Sequence, residues 1–251
     1  MKFIPVLLAF CVSAAALHAT DTAPDYSAMR AEVEALANLT EAPDFNVVER
    51  PDATPTLKPI IYTGADYKGK ATRVFAWLGV PKSTKGKVPG VVLVHGGGGT
   101  ASKDWVANWN NKGYAAISMS LEGHDDKKAK LPEGGPERPG VYGDFNAPLK
   151  DQWMYQVIAN TTLAASLLRS LPEVDPEKIG INGCSWGGII TATAIGIDSR
   201  YAFAIPVYGC GGLYRIPNHY SKALAKNEVY KQVWDPHLRL ERARMPILWH
   251  S

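Results

Sequence analysis

A short run of wholly apolar residues constrains the fold of this chain more than any other feature of its sequence. Residues 91–94 read Val-Val-Leu-Val, with Pro89 and Gly90 before them and four consecutive glycines, 96–99, shortly after. Such a run, bounded by Pro and Gly, is typical of a strand that is covered on both faces, as in parallel sheets. The sequence therefore predicts a buried strand that leads directly into a loop of glycines.

Strands and helices are predicted to alternate along the rest of the chain. The predicted strands are residues 60–62 and 72–80, joined by a polar turn at 64–70, then 91–94, 114–119, 179–182, 202–207 and 247–249. The predicted helices are residues 26–38, 102–111, 151–169 and one that begins at Ser185. This alternation predicts an α/β fold with a mostly parallel sheet and helices on both faces. Two further segments are expected to lie between these elements: a long loop at residues 123–147 and a helical segment covering the site at residues 213–243.

Residues 1–19 carry the pattern of a secretory signal peptide. Lys2 is followed by an apolar stretch and by small residues around Ala19, and the stretch is too short to span a membrane comfortably. We therefore predict cleavage after Ala19, a location in the periplasm or outside the cell, and no membrane attachment afterwards. Residues 20–57 are predicted to be an N-terminal extension and residues 58–251 a single domain.

Composition and charge argue against several classes of partner. The net charge is only +3 and is dispersed, so neither nucleic acid nor an acidic membrane surface is predicted as a partner. After export two cysteines remain, Cys184 and Cys210, which are too few for a disulfide framework in a domain of this size. They are either bridged to each other or two small, buried, free thiols. No His/Cys/Glu cluster has the spacing of metal ligands, and we predict neither a metal nor a cofactor.

The strongest local motif is Gly-Cys-Ser-Trp-Gly at residues 183–187, between a predicted strand and a predicted helix. In that setting G-x-S-x-G indicates a nucleophile elbow, a strained turn that lifts a serine hydroxyl above the edge of the sheet. Gly183 and Gly187 are predicted to be needed because such a turn leaves little room for side chains. The helix N-terminus favours developing negative charge. Ser185 is therefore the predicted catalytic nucleophile.

The glycine loop (residues 96–99) follows His95 and offers backbone N–H groups that no side chain obstructs. Donors of this kind stabilise the oxyanion that forms when a nucleophile attacks an ester. We assign Gly97 or Gly98 as one donor of the predicted oxyanion hole and the N–H of Trp186 as the other. His95 is predicted to brace the loop through hydrogen bonds rather than to act as a base.

The same glycines also fit a relaxed dinucleotide-binding pattern. Gly96, Gly98 and Ala101 have the spacing G-x-G-x-x-A, and Glu122 follows about one strand and helix later. This alternative predicts a nucleotide-binding protein. It gives no purpose to His95 or to the second motif at Ser185, so we favour the hydrolase interpretation.

Taken together, these motifs resemble exported bacterial α/β hydrolases that are described as acetylxylan-esterase-like, dienelactone-hydrolase-like or prolyl-oligopeptidase-like. The resemblance covers about residues 55–251 and includes Asp151-Gln152-Trp153, Val174-Asp175-Pro176 and the stretch 245–249. It implies the α/β-hydrolase fold and hydrolysis of carboxylic esters, with acetyl esters of plant polysaccharide as one candidate substrate. A dienelactone hydrolase proper would carry cysteine as the nucleophile where this chain has Ser185.

The fold's chain order places the catalytic acid after the strand that begins at Pro246, and the catalytic histidine one strand later. Only His250 and Ser251 remain after that strand. We therefore expect a truncated sequence that lacks the last strand and helix, with acid and base beyond Ser251 and little activity of its own. A natural short form that binds without turnover, or that borrows the missing parts from another chain, is the alternative.

Residues inside the chain are not expected to complete the triad. Asp198 lies too near the elbow helix to reach the serine, and we interpret Asp235, His219 and His237 as surface residues of the covering segment, residues 213–243. His250 lies within or at the end of a strand, which is a poor position for a base.

The predicted function is hydrolysis of small-molecule or carbohydrate esters through an acyl-enzyme on Ser185. Two alternatives remain: a non-catalytic binding protein on a hydrolase fold, and an exopeptidase of the prolyl-oligopeptidase type. The latter generally carries a large preceding domain, for which residues 20–57 are too few. The sequence predicts neither the acyl and alcohol groups nor the oligomeric state.

Overall fold

The computed structural model describes residues 24–82 and 86–251. The predicted signal peptide and its cleavage point lie outside the described residues. Within the described part of the chain, no helix has the length and apolar character needed to cross a membrane.

A seven-stranded mixed sheet forms the centre of the molecule. Its strands are β1 Phe45–Val47, β2 Leu57–Tyr67, β3 Lys70–Gly79, β4 Val88–Val94, β5 Ala115–Met119, β6 Val174–Cys184 and β7 Ala204–Val207. Their spatial order is β1-β2-β3-β5-β4-β6-β7. The first four strands in this order pair antiparallel, and β5, β4, β6 and β7 pair in parallel. The predicted α/β sheet is therefore confirmed, with an antiparallel half added by β1–β3.

Helices cover both faces of this sheet, as predicted. They are α1 Tyr26–Glu34, α2 Lys103–Asn110, α3 Trp153–Ser170, α4 Trp186–Ile197 and α5 His219–Ala223. Side chains alternate along β4: Val91 and Leu93 pack in one cluster with Val106 of α2, whereas Val92 and Val94 pack in the other, which contains α3 and α4. All four strand residues are fully buried, which explains why the run contains no polar residue.

Two predictions of local structure are corrected by the fold. The turn between β2 and β3 is not residues 64–70 but only Lys68 and Gly69, which both have positive φ, 52° and 72°. Such a pair closes a two-residue hairpin whose twist matches that of the strands. The N-terminal extension also contributes a strand that the sequence did not predict, because β1 pairs with β2.

The covering segment (residues 213–243) is helical only in short pieces. It contains α5, a π-helical turn at Tyr230–Trp234 and three 3₁₀ turns. The prediction that Asp235 is a surface residue is wrong, since its side chain is fully buried. Its carboxylate accepts hydrogen bonds from the backbone N–H groups of Gly212 and His237 and contacts His237 Nδ1. These partners satisfy the charge and make its burial tolerable.

Residues 246–250 extend the sheet beyond β7. Ile247 and His250 pair in parallel with Ala204 and Val207, so the strand predicted at residues 247–249 is confirmed in its pairing. This segment lies on the far side of β7 from β6. The order at this end of the sheet is therefore β6, which leads into the elbow, then β7, then residues 246–250 at the edge.

Candidate active site

Ser185 occupies a strained turn between β6 and α4. Its backbone angles are φ 56° and ψ −118°, a region that side-chain-bearing residues avoid because it is sterically crowded. The backbone N–H of Ser185 donates to the carbonyl of Val207 at 2.8 Å, and the side chain is exposed. The serine thus stands at the N-terminus of α4, in the geometry that the motif predicts for a nucleophile elbow.

The glycines of the elbow lie where no side chain fits. A Cβ atom built on Gly183 would lie 2.1 Å from the carbonyl oxygen of Gly187, and one on Gly187 would lie 2.0 Å from that of Val94. Backbone atoms cannot move aside as a flexible side chain could. The predicted roles of Gly183 and Gly187 therefore have a steric reason in this turn.

Gly187→Ala is expected to destabilise the fold by about 3 kcal/mol, because the new methyl group collides with the backbone of β4. The measurement is the free energy of unfolding in urea. Gly135→Ala is the matched control, since a Cβ atom there meets nothing within 4 Å, and we expect it to change stability by less than about 0.5 kcal/mol. Equal losses in the two variants would contradict the steric account.

The glycine loop lies directly against the elbow. A Cβ atom on Gly96 would lie 3.3 Å from Cβ of Ser185, and one on Gly97 would lie 2.5 Å from Cδ1 of Trp186. In the described residues no backbone or side-chain acceptor takes the N–H of Gly97 or Gly98. The N–H of Trp186 is the first in α4 and has no acceptor inside the helix. The structure thus places the glycine loop, with the candidate donor Gly97 beside Trp186, against the turn that carries Ser185.

His95 connects the glycine loop to the residues after β5 through hydrogen bonds of its ring. Its Nε2 accepts from the backbone N–H of Leu121 at 3.0 Å, and its Nδ1 lies 2.7 Å from the carbonyl oxygen of Gly96. These partners assign the neutral tautomer with the proton on Nδ1. Burial lowers the pKa of His95 to about 4. Both ring nitrogens are engaged, so the side chain fastens the glycine loop to the end of β5.

His95 should make the stability of the fold depend on pH. Its pKa in the folded chain, about 4, lies below the unfolded value of 6.5, so the unfolded chain binds the proton first. Its contribution is therefore complete above pH 6.5 and falls by up to about 3 kcal/mol as the pH drops to 4. We expect His95→Gln to flatten the dependence of the unfolding free energy on pH in that range. Parallel curves for the two proteins would contradict this expectation.

An aromatic cluster fixes Trp186, the residue after the serine. The centre of its ring lies 5.1 Å from that of Tyr142, 6.1 Å from that of Trp153 and 6.2 Å from that of Tyr220. These partners come from the long loop (residues 123–147), α3 and α5. The sequence did not reveal Tyr142 or Tyr220 as neighbours of the site, because neither lies in a motif or a periodic segment.

The described residues place no histidine in hydrogen-bond contact with the Ser185 hydroxyl. His219 is exposed, and His237 lies between Asp235 and Arg215, with its Nε2 3.2 Å from the latter's Nη2. Asp198 is paired with Arg200 at the far end of α4. Among the described residues, the predicted nucleophile and the candidate oxyanion donors Gly97 and Trp186 therefore lie together, without a histidine hydrogen-bonded to Ser185.

The two cysteines near the site are free thiols. Cys184 precedes the serine and is half-buried, whereas Cys210 is exposed. The predicted alternative of a bridge is therefore not observed, and the prediction of a buried thiol is wrong for Cys210. Cys210 follows β7 and lies between Gly209 and Gly211.

Comparison with known proteins identifies a family for this chain and solved structures that share its fold. A sequence model described as acetyl xylan esterase (AXE1) matches residues 20–239. Acetyl xylan esterase 1 from Thermoanaerobacterium sp. JW/SL YS485 superposes with a TM-score of 0.71 and 16% identity over 90% of this chain and 77% of that chain. An acetyl xylan esterase from Paenibacillus sp. R4 gives a TM-score of 0.65 and 22% identity, covering 90% of this chain and 78% of that chain.

A third similar structure is a glucuronoyl esterase from Solibacter usitatus. It superposes with a TM-score of 0.54 and 16% identity over 88% of this chain and 72% of that chain. At these identities the likeness of the solved structures shows a shared fold, the α/β-hydrolase fold predicted from the sequence.

Proposed function

The chain belongs to the acetyl xylan esterase (AXE1) family, and from that premise we propose that Ser185 is the nucleophile of a carboxylic ester hydrolase. The family is one of carboxylic ester hydrolases. The observation that carries the assignment of Ser185 is its strained backbone, with φ 56° and ψ −118°, at the start of α4. Strain of this kind persists only where the surrounding structure enforces it, and it is concentrated at functional sites.

In the proposed reaction the Ser185 oxygen attacks the acyl carbonyl and forms a tetrahedral intermediate. The N–H groups of Trp186 and of Gly97 or Gly98 hold its negative oxygen. The bond to the alcohol then breaks, the alcohol takes up a proton, and the acyl group remains on Ser185 until water releases it as the acid. Acetyl esters of polysaccharide are the substrate class that the family membership favours.

The base that takes the proton of Ser185 is proposed to be a histidine held by a carboxylate. No such pair contacts the Ser185 hydroxyl within residues 24–82 and 86–251. The chain order of the α/β-hydrolase fold is nucleophile, then acid, then histidine, so we propose that both groups follow Ser185 in the chain. Without them a serine hydroxyl is barely nucleophilic.

The test of the proposed function is hydrolysis by the purified product of the complete reading frame. We expect it to turn over 4-nitrophenyl acetate at roughly 1 s⁻¹ or faster and to release acetate from acetylated xylan. The contrary result is xylan binding with no turnover of either ester, which would identify a non-catalytic binding protein on the same fold.

A further inference from the structure

Arg138 of the long loop is held rigidly against the elbow. Its Nη1 donates to the carbonyl of Gly140 at 2.6 Å, and its Nε lies 3.5 Å from Oε1 of Glu122. The centre of the Trp186 ring lies 4.9 Å from the guanidinium carbon, which is within the range of cation–π attraction. These contacts fix a guanidinium that is only 23% exposed.

The guanidinium also reaches the glycine loop. A Cβ atom built on Gly97 would lie 3.2 Å from Nη2 of Arg138 and 2.5 Å from Cδ1 of Trp186. Nη2 therefore lies beside the loop that offers the proposed oxyanion donors. Nη2 thus lies beside Gly97 and Trp186, the two residues whose N–H groups are proposed to hold the oxyanion at Ser185.

One donor nitrogen of Arg138 remains available. Among the described residues, no acceptor forms a hydrogen bond with Nη2. The Nε atom of Arg138 is fully buried without a hydrogen-bond partner, whereas Nη2 is not fully buried. A bound group could therefore reach Nη2 from the solvent side. Because the guanidinium is already immobilised, a new partner would cost little additional side-chain entropy.

The unpartnered N–H groups of Arg138 Nη2 suit an anionic partner. Glu122 lies on the edge that Nε shares with Nη2, 3.5 Å from Nε, which is longer than a normal hydrogen bond, and it makes no hydrogen bond to Nη2. A guanidinium with an unpartnered N–H group in a partly buried site binds carboxylates through charge-assisted hydrogen bonds. Glu122, which the dinucleotide interpretation would assign to a ribose, instead orients this arginine.

We propose that Arg138 is a substrate-binding residue that gives the site a preference for esters carrying a carboxylate close to the ester bond. The proposal rests on the proposed function of Ser185 and specifies its substrate class: acidic esters, such as those on uronic-acid-bearing polysaccharide. The carboxylate belongs to the acyl part or to the alcohol part of the ester, and the experiment separates these two arrangements.

The test uses two matched pairs of substrates with the product of the complete reading frame. The first pair differs in the acyl part: 4-nitrophenyl butyrate and mono-4-nitrophenyl succinate. The second differs in the alcohol part: the acetyl esters of a methyl xyloside and of a methyl glucuronoside. For at least one pair, we expect Arg138→Gln to lower kcat/KM of the anionic substrate, relative to its neutral partner, roughly 10- to 100-fold.

The loss should appear mainly in KM, because the contact exists before and during the reaction. Arg138→Lys should restore part of the preference by restoring the charge. Raising the salt from 50 to 500 mM should weaken the preference of the unaltered protein. Lys130→Gln is the control, since it removes a 72% exposed cation from the same loop, and the substrate ratios should stay within about twofold.

Two results would overturn the proposal. Equal losses for the neutral and anionic members of both pairs would mean that Arg138 only positions Trp186 and the glycine loop. Unchanged ratios in Arg138→Gln would mean that it binds no substrate group. Failure of the proposed function gives a different result, because turnover of the neutral esters would then survive in Ser185→Ala.

Discussion

Replacement of Ser185 by alanine in the product of the complete reading frame is expected to lower kcat for 4-nitrophenyl acetate by roughly 10³- to 10⁶-fold. The substitution removes the oxygen that is proposed to attack the ester and leaves the proposed oxyanion donors in place. The remaining rate would come from those donors and from substrate binding alone. The measurement is steady-state hydrolysis followed by release of 4-nitrophenol.

The control for this variant is Ser27→Ala, which alters an exposed serine on α1. It should change neither kcat nor the melting temperature measurably. Ser185→Ala should also keep its melting temperature within a few degrees, because the exposed hydroxyl makes no hydrogen bond in the described structure. An alanine variant that is folded and fully active would show that another residue is the nucleophile.

Gly97→Ala is expected to lower kcat roughly 10²-fold, although it leaves the backbone N–H in place. The added methyl group would lie 2.5 Å from Cδ1 of Trp186, whose ring cannot retreat because Tyr142 and Trp153 pack against it. The glycine loop must therefore shift, and it carries its donor away from the oxyanion. A displacement of about 1 Å is enough for a loss of this size.

Gly98→Ala provides the comparison within the same loop. A Cβ atom there meets nothing within 4 Å, but φ is +70°, so the variant introduces about 1 kcal/mol of backbone strain without a collision. We expect a loss of less than roughly tenfold in kcat. If Gly97→Ala and Gly98→Ala lose activity equally, the collision with Trp186 is not the cause.

Local patterns explain which parts of the fold could be predicted from the sequence. The apolar run at residues 91–94 is short and bounded by Pro and Gly, so its burial on both faces follows from composition alone. The elbow at Ser185 needs only a serine between two glycines at a strand-to-helix junction. Both features depend on neighbours in the chain, and the structure places both as expected.

Contacts between distant parts of the chain account for what the sequence did not reveal. Arg138 and Glu122 lie 16 residues apart in segments without periodicity, and only the packing against Trp186 brings them to the site. Asp235, interpreted from the sequence as a surface residue of the covering segment, is instead fully buried. The signal missed there is Asp-Pro-His, in which the carboxylate caps the following turn and so is satisfied inside the fold.

The most direct test of the central claim is to identify the residue that a fluorophosphonate modifies in the product of the complete reading frame. After digestion, mass spectrometry locates the phosphonyl group on a peptide. We predict a single modified site, Ser185, with loss of esterase activity in proportion to labelling and no labelling of Ser185→Ala. A label on another residue, or an active enzyme that the reagent does not modify, would contradict the assignment of Ser185 as the nucleophile.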